Sequence, residues 1–136
     1  MSIYMLDTNI VSDMMRNPNG PAALRAKALS QATPDVLLQI SVIVDCELQF
    51  GLQRKPNPRL SAAYERTTSN LTISALEPTV APLYASLRAT LAGVGMGLDA
   101  NDALIAAHAL ALDATLVSAD AAFARVPGLR LENWLN

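Results

Sequence analysis

Short apolar runs alternate along this chain with longer stretches in which apolar residues recur every three or four positions. The short runs are typical of buried strands, and the longer spacing is typical of helices that face a core. The pattern predicts strands at residues 3–6, 36–43, 71–76, 114–118 and 129–131. It predicts helices near residues 10–15, 21–31, 44–54, 60–69, 80–92 and 102–112. This alternation favours an α/β fold with a parallel sheet and helices on its faces.

Two aspartates follow predicted strands. Asp7 comes directly after residues 3–6, and Asp120 comes two residues after 114–118. In open α/β sheets, ligands bind outside the carboxyl ends of the strands. Either aspartate alone is a common turn or capping residue. Together they predict carboxylates at one edge of the sheet.

Two further acids belong to helices that the pattern predicts to be buried. Glu47 lies beside the apolar side of its helix, away from the polar stripe that includes Asp45. A carboxylate is costly to bury without a partner, and the sequence places no Lys or Arg beside it. Asp102 begins an almost wholly apolar helix, where the helix dipole favours an acid and where Asp99 and Asn101 compete as caps. We expect Glu47 and Asp102 to join the two strand-end aspartates.

The charge balance indicates how such a site works. The formal net charge is −2, and the chain has two lysines, Lys27 and Lys55, with no basic run. A nucleic-acid partner therefore meets no general cationic face. Gathered carboxylates repel one another, and oxygen ligands without His or Cys suit Mg²⁺ or Mn²⁺. A site of this kind can activate water for phosphodiester cleavage, and its ions can hold a polyanion.

Size and composition set the remaining expectations. The 136 residues predict one domain with a sizeable core. The 51% hydrophobic content has two explanations: an apolar surface patch that a second copy or a partner covers, or a core rich in Ala and Leu. Cys46 is the single cysteine, which excludes a disulfide framework and suits a reducing cytoplasm. No signal peptide or membrane-length apolar run is visible, so we expect a cytoplasmic protein without membrane contact.

Four stretches in chain order carry a family resemblance: MLDTNIVSDMMRNP, SVIVDCELQFG, NDALIAAHALALDATLVSAD and VPGLRLENW. Together they resemble the PIN-domain ribonucleases, especially the VapC-type toxins of bacterial toxin–antitoxin modules. The resemblance implies a PIN-like three-layer α/β/α sandwich with a central, mainly parallel sheet, as a single nuclease domain over residues 1–136. It also implies RNA cleavage at a Mg²⁺ or Mn²⁺ site, homodimerisation, inhibition by a VapB-type antitoxin, and DNA contact only through that antitoxin.

The resemblance assigns roles at matching positions. The family's four catalytic, metal-binding acids match Asp7, Glu47, Asp102 and Asp120. Its polar supporting positions match Asn9 and Ser118, with Thr8 shaping the same loop. The chain departs from the family pattern at Val44 and at Ser118, where a threonine is usual. The family's fourth acid varies, so Asp120 is expected to tune metal binding more than to decide activity.

Other conspicuous residues receive structural interpretations. His108 lies about 240° round its helix from Asp102, so we expect a core or interface residue instead of a ligand. Cys46 is expected to be a small buried residue, and Asp13 and Asp45 are expected to be solvated. Trp134 is expected to pack in the core or contact a partner. The stretch GVGMG is expected to be a loop, because no strand precedes it.

Two other functions remain open at this stage. An aspartyl phosphoryl-transfer enzyme would use Asp7 as a nucleophile. Phosphatases of this kind have a second acid two residues after the nucleophile, and this chain has Asn9 there. They also have a lysine late in the chain, and no lysine follows Lys55 here. The other alternative is a non-catalytic corepressor that acts only in complex with a DNA-binding antitoxin.

Overall fold

A computed structural model describes residues 2–32 and 34–136, and these residues form a central sheet with helices on its faces. The strands are β1 (Ser2–Leu6), β2 (Val36–Ser41), β3 (Thr72–Ser74), β4 (Thr115–Val117) and β5 (Arg130–Glu132). The helices are α1 (Thr8–Arg16), α2 (Pro21–Ala32), α3 (Val42–Arg54), α4 (Pro58–Thr68), α5 (Val80–Gly93) and α6 (Ala100–Ala111). A 3₁₀ turn spans Ala121–Arg125 between β4 and β5.

The sheet has the strand order β3-β2-β1-β4-β5, and each pair of neighbours is parallel. On one side, α1 contacts α2, α3 and α4; α5 packs along α6. The prediction of an α/β/α sandwich around a parallel sheet is confirmed. Because β1 is central, its apolar residues Met5 and Leu6 are fully buried, and its carboxyl end lies at the middle of the sheet edge.

Side-chain caps explain why three helices begin earlier than the pattern predicts. Asp7 caps α1, Ser41 ends β2 and caps α3, and Asp99 caps α6. In each case a side-chain oxygen accepts a hydrogen bond from a backbone N–H of the first turn, which satisfies a donor that the helix itself leaves free. The prediction that α6 begins at Asp102 is therefore wrong by two residues, and Asp102 lies in the first turn.

Two interpretations of α3 are wrong. Asp45 is buried, since Tyr64 of α4 donates a hydrogen bond to its Oδ1 and Gln49 Nε2 donates to its Oδ2 at 2.9 Å. Cys46 is exposed instead of buried. Tyr64 of α4 covers Asp45, whereas Gln49 and Gln53 of the same polar stripe stay exposed. A periodicity argument made on one helix does not include such a neighbour.

Of the remaining structural interpretations, those of His108 and Trp134 agree with the fold. His108 is buried and hydrogen-bonded. Trp134 is buried against Tyr4 with ring centroids 5.7 Å apart, and its Nε1 donates to Glu132 Oε1 at 2.9 Å. Asp13 is half-buried, which places it between the solvated state predicted for it and the core. Among the helices of the described ranges, none combines the length and apolarity needed to cross a membrane.

Candidate active site

Asp7 lies at the topological switch point of the sheet. It follows β1, whose neighbours β2 and β4 are reached by connections on opposite sides. Its backbone N–H donates to the carbonyl of Val117 at 2.9 Å, so the chain is still paired with β4 where the side chain emerges. Crevices at such points are where open parallel sheets bind ligands.

The Asp7 carboxylate is held by donors from both neighbouring chain segments. Its Oδ2 accepts a hydrogen bond from Ser118 Oγ at 2.7 Å and a longer one from Asn9 Nδ2 at 3.4 Å. Its Oδ1 accepts from the backbone N–H of Thr8 at 2.8 Å. Asn9 Oδ1 in turn accepts from the backbone N–H of Ala119 at 3.1 Å. The buried carboxylate therefore has a fixed orientation.

Glu47 reaches this group from α3. Its Oε1 accepts a hydrogen bond from Thr8 Oγ1 at 2.6 Å, which joins α3 to the residue directly after Asp7. Glu47 is half-buried, as its position beside the apolar side of the helix predicts. Thr8 thus contacts Asp7 through its backbone and Glu47 through its hydroxyl.

The carboxylates of the site repel one another. Burial raises the pKa of Asp7 above its ordinary value of 3.8, hydrogen bonds from Ser118 and Thr8 oppose the rise, and the nearby carboxylates of Glu47 and Asp120 add to it. Asp120 is exposed, its N–H donates to Ser118 Oγ at 3.0 Å, and its Oδ1 caps the 3₁₀ turn through Ala122 N–H at 2.9 Å. The site therefore concentrates negative charge.

Asp102 shows the strongest effect of this charge. Burial, followed by the carboxylates of Asp99, Asp7 and Asp120, raises its pKa from 3.8 to about 7. Asp99 Oδ1 also accepts a hydrogen bond from the backbone N–H of Asp102 at 2.8 Å. The electrostatic interactions therefore link all four predicted acids, directly or through Asp7.

Nearly the whole chain matches known proteins. Residues 4–129 match the family model described as the PIN domain. Ribonuclease VapC2 of Rickettsia felis is 36% identical over 135 residues, which covers 97% of this chain and 98% of that protein. This chain belongs to the PIN-domain family. Ribonuclease VapC2 of Haemophilus influenzae is 34% identical over 134 residues, with coverage of 97% and 98%.

Solved structures extend the family likeness to the backbone of this PIN domain. The VapBC2 structure from R. felis, bound to a DNA fragment from the promoter, matches with a TM-score of 0.89 and 34% identity, covering 97% of this chain and 98% of that one. The VapBC-1 structure from nontypeable H. influenzae matches with a TM-score of 0.85 and 31% identity, covering 98% and 99%. The VapC-type resemblance is thus confirmed in sequence and in fold.

The acids of this PIN domain fit a divalent cation that takes few ligands from protein. The ion pair between Arg130 and Asp113 involves none of these acids. Within residues 2–32 and 34–136, no group of three or more acid, His or Cys side chains is arranged to hold a metal ion. Mg²⁺ usually binds one or two carboxylates and completes its shell with waters and phosphate oxygens. The donor set is compatible with that ion.

Two features of the site were not predicted from the pattern. Asp99 adds a fifth carboxylate next to Asp102, although its capping position had drawn attention to it. The Thr8–Glu47 hydrogen bond supplies a hydroxyl contact at a site where the family's usual threonine is replaced by Val44. The polar run after β1 drew attention to Thr8, but no spacing rule connects Thr8 to Glu47, which lies 39 positions away.

Replacing Thr8 with valine will weaken metal binding at this site. Valine keeps the shape of the side chain but removes the donor to Glu47 Oε1, so Glu47 loses its fixed orientation. Loss of a partner that orients a metal ligand typically costs about 10–100-fold in metal affinity or activity. The measurement is the Mg²⁺ concentration that gives half-maximal RNA cleavage. Thr90→Val, on the exposed surface of α5, is the matched control, and equal behaviour of the two variants would contradict the role of Thr8.

Proposed function

We propose that this protein is a metal-dependent endoribonuclease and the toxin of a VapB–VapC-type module, active in the cytoplasm. The observation that carries the proposal is the set of uncompensated acids around Asp7, in a chain that is 36% identical to a ribonuclease VapC over nearly its full length. An acidic surface is no obstacle to this function, because divalent ions can bridge carboxylates and phosphate oxygens.

The proposed roles follow from the contacts. Asp7, Glu47 and Asp102 would surround Mg²⁺ or Mn²⁺, with one or two of them as direct ligands and with Asp120 as the exposed fourth acid. When bound, the cation supplies activation of water and stabilisation of the leaving oxygen in phosphodiester hydrolysis. Ser118 and Asn9 fix the orientation of the Asp7 carboxylate, and Thr8 does the same for Glu47. The raised pKa of Asp102 means that the cation competes with a proton for this carboxylate.

The direct test is RNA cleavage by the purified protein with and without metal. We expect cleavage in Mg²⁺ or Mn²⁺ and loss of cleavage in excess EDTA, with recovery when the ion is restored. Sequencing the 5′ ends of RNA after brief induction in cells identifies the target and the cleaved motif. Undiminished cleavage in EDTA would overturn the metal requirement, and no cleavage of any RNA would overturn the ribonuclease.

The proposed partner is a VapB-type antitoxin. The solved relatives from R. felis, H. influenzae and Salmonella typhimurium are VapBC complexes, and those from R. felis and S. typhimurium are bound to DNA. By analogy, this chain contacts DNA only indirectly, through the antitoxin. The same complexes favour a second role as corepressor. Growth arrest on expression that persists in Asp7→Asn would show that the toxic effect does not depend on catalysis.

We further propose that the protein is a homodimer. Exposed apolar side chains lie on α3 and on or after edge strand β3, namely Phe50, Ile73 and Leu76, with 64%, 44% and 38% of their surfaces accessible. Helix α3, which carries Phe50, contacts β3, which carries Ile73. Exposed large apolar side chains are candidates for an association surface.

Phe50→Glu will shift the protein from dimer to monomer. The glutamate places a charge in the proposed apolar interface, where desolvating it is costly. Analytical ultracentrifugation of the metal-free protein measures the dissociation constant, and we expect it to rise at least about 10-fold, equivalent to about 1.4 kcal/mol. Leu24→Glu, on the exposed side of α2, is the control. An unchanged sedimentation profile for Phe50→Glu would remove this region from the interface.

A further inference from the structure

His108 forms a polar bridge in the interior of the described residues that the proposed mechanism does not use. Its Nδ1 lies 2.8 Å from Ser41 Oγ, and its Nε2 lies 3.3 Å from Ser74 Oγ. A hydrogen bond with the backbone of Ala75 adds a further contact, and burial lowers the pKa of the imidazole. His108 and Ser41 are almost completely buried. The imidazole thus joins α6 to the carboxyl ends of β2 and β3.

One arrangement of protons satisfies the bridge. Ser41 Oγ accepts a hydrogen bond from the backbone N–H of Ile43 at 3.1 Å, which caps α3. Its own hydroxyl proton is then free to be donated to His108 Nδ1. The opposite nitrogen, Nε2, carries the ring proton toward Ser74 and Ala75. The neutral imidazole therefore acts as acceptor toward α3 and as donor toward β3, and the two nitrogens have separate partners.

The bridge connects the two helices that carry acids of the site. Ser41 is the N-cap of α3 and lies six residues before Glu47, whereas His108 lies six residues after Asp102 in α6. Six residues of helix span about 9 Å, so the contact is remote from both carboxylates. The two helices contact each other, and alanines on the buried side of α6, such as Ala103, Ala106 and Ala107, allow a close approach. Contacts between small apolar side chains do little to prevent one helix from sliding along the other. A directional hydrogen bond fixes the register of the two helices.

We propose that His108 is a positioning residue for the metal site: its bond to Ser41 fixes α6 relative to α3 and so sets the separation of Asp102 and Glu47. The proposal rests on the proposed function, since it assigns to these acids a shared ion. The proposal gives the two ring nitrogens of His108 different roles. The contact through Nδ1 controls the site, and the contact through Nε2 contributes to stability alone.

Two substitutions of His108 separate these contacts. The amide of His108→Asn occupies the place of Nδ1 and can keep the bond to Ser41. The longer side chain of His108→Gln places its amide near Nε2, so it reaches Ser74 and loses Ser41. Both variants lose one buried hydrogen bond of the imidazole, so we expect similar losses of thermal stability, but only His108→Gln should weaken metal binding.

The experiment measures Mn²⁺ affinity by calorimetry on the full-length protein without RNA, together with its unfolding temperature. We expect His108→Gln to bind Mn²⁺ about 10–100-fold more weakly than wild type, and His108→Asn to restore most of the affinity. In RNA cleavage, His108→Gln should need correspondingly more metal with an unchanged KM for RNA. Tyr64→Phe breaks another buried hydrogen bond of α3, to Asp45, and should lower stability without changing Mn²⁺ affinity.

Each other outcome overturns part of the argument. Equal Mn²⁺ affinities for His108→Asn and His108→Gln would show that the bridge has a purely structural role. If His108→Gln does not fold, Ser41→Ala is compared with Ser74→Ala, and equal affinities there lead to the same conclusion. If wild type binds Mn²⁺ and the variants differ as expected but no RNA is cleaved, the positioning role stands and the ribonuclease proposal fails.

Discussion

Asp7→Asn will abolish RNA cleavage while leaving the fold intact. The substitution keeps the size of the side chain and one acceptor oxygen, which can still accept from the backbone N–H of Thr8. It replaces the other carboxylate oxygen with an amide donor and removes the charge at the centre of the acid group. A catalytic metal supplies several kcal/mol of transition-state stabilisation, and losing about 4 kcal/mol slows a reaction about a thousand-fold. We expect at least this loss in initial rates of cleavage at saturating Mg²⁺.

Without metal, the same substitution should leave the thermal stability of the protein unchanged or raise it. Because burial raises the pKa of Asp7, the charge is disfavoured in the folded protein. In EDTA, Asp7→Asn should therefore unfold at a temperature no lower than that of wild type, and added Mg²⁺ should stabilise wild type more than the variant. Asp113→Asn is the matched control, since Asp113 is exposed and pairs with Arg130. A strongly destabilised Asp7→Asn, or one that still cleaves RNA, would contradict the assignment.

Raising the pH will destabilise the metal-free protein. The pKa of Asp102 is about 7 in the folded protein and 3.8 ordinarily, so between these values the folded state holds more protons than the unfolded state. The free energy of unfolding then falls as the pH rises through that window, and it is highest at the acidic end. Solvent screens a partly exposed group, so we expect a loss of about 1 kcal/mol. That corresponds to about 4 °C in Tm between pH 5 and pH 8.

Two controls, added Mg²⁺ and the Asp102→Asn substitution, show whether the change in stability with pH comes from Asp102. Saturating Mg²⁺ binds the ionised carboxylates and should offset the loss above pH 7. Asp102→Asn removes the titrating group and should flatten the dependence, apart from the smaller contribution of Asp7. Melting curves in EDTA at several pH values provide the measurement. A metal-free protein that gains stability from pH 5 to pH 8 would contradict the raised pKa.

The four predicted acids were accessible to sequence reasoning because each carries a local signal. Asp7 and Asp120 follow strands, and strand ends in a parallel sheet meet at one edge whatever the details of the helices. Asp102 was found as the acid of an apolar helix, although the exact start of that helix depended on which of two side chains capped it. Glu47 needed only the periodicity of its own helix.

The errors have a common physical cause. Asp45 and Cys46 were assigned from the periodicity of α3 alone. The contact of Tyr64 in α4 with Asp45 buries that carboxylate, and the pattern of α3 does not reveal it. Likewise the role of His108 depends on Ser41, 67 residues away. Tertiary contacts of this kind have no signature within one element, and a single sequence does not reveal them.

The hydrogen bond between Ser118 and Asp7 joins residues 111 positions apart, and this separation determines when the acid group can form during synthesis. During synthesis, β1, β2 and β3 emerge well before β4, which pairs with β1 on its other side. A nascent chain that ends before β4 lacks Ser118 and Asp120, and one edge of β1 has no partner. The acid group around Asp7 is therefore completed only after β4 has been made and has paired with β1, well after the other strands next to Asp7.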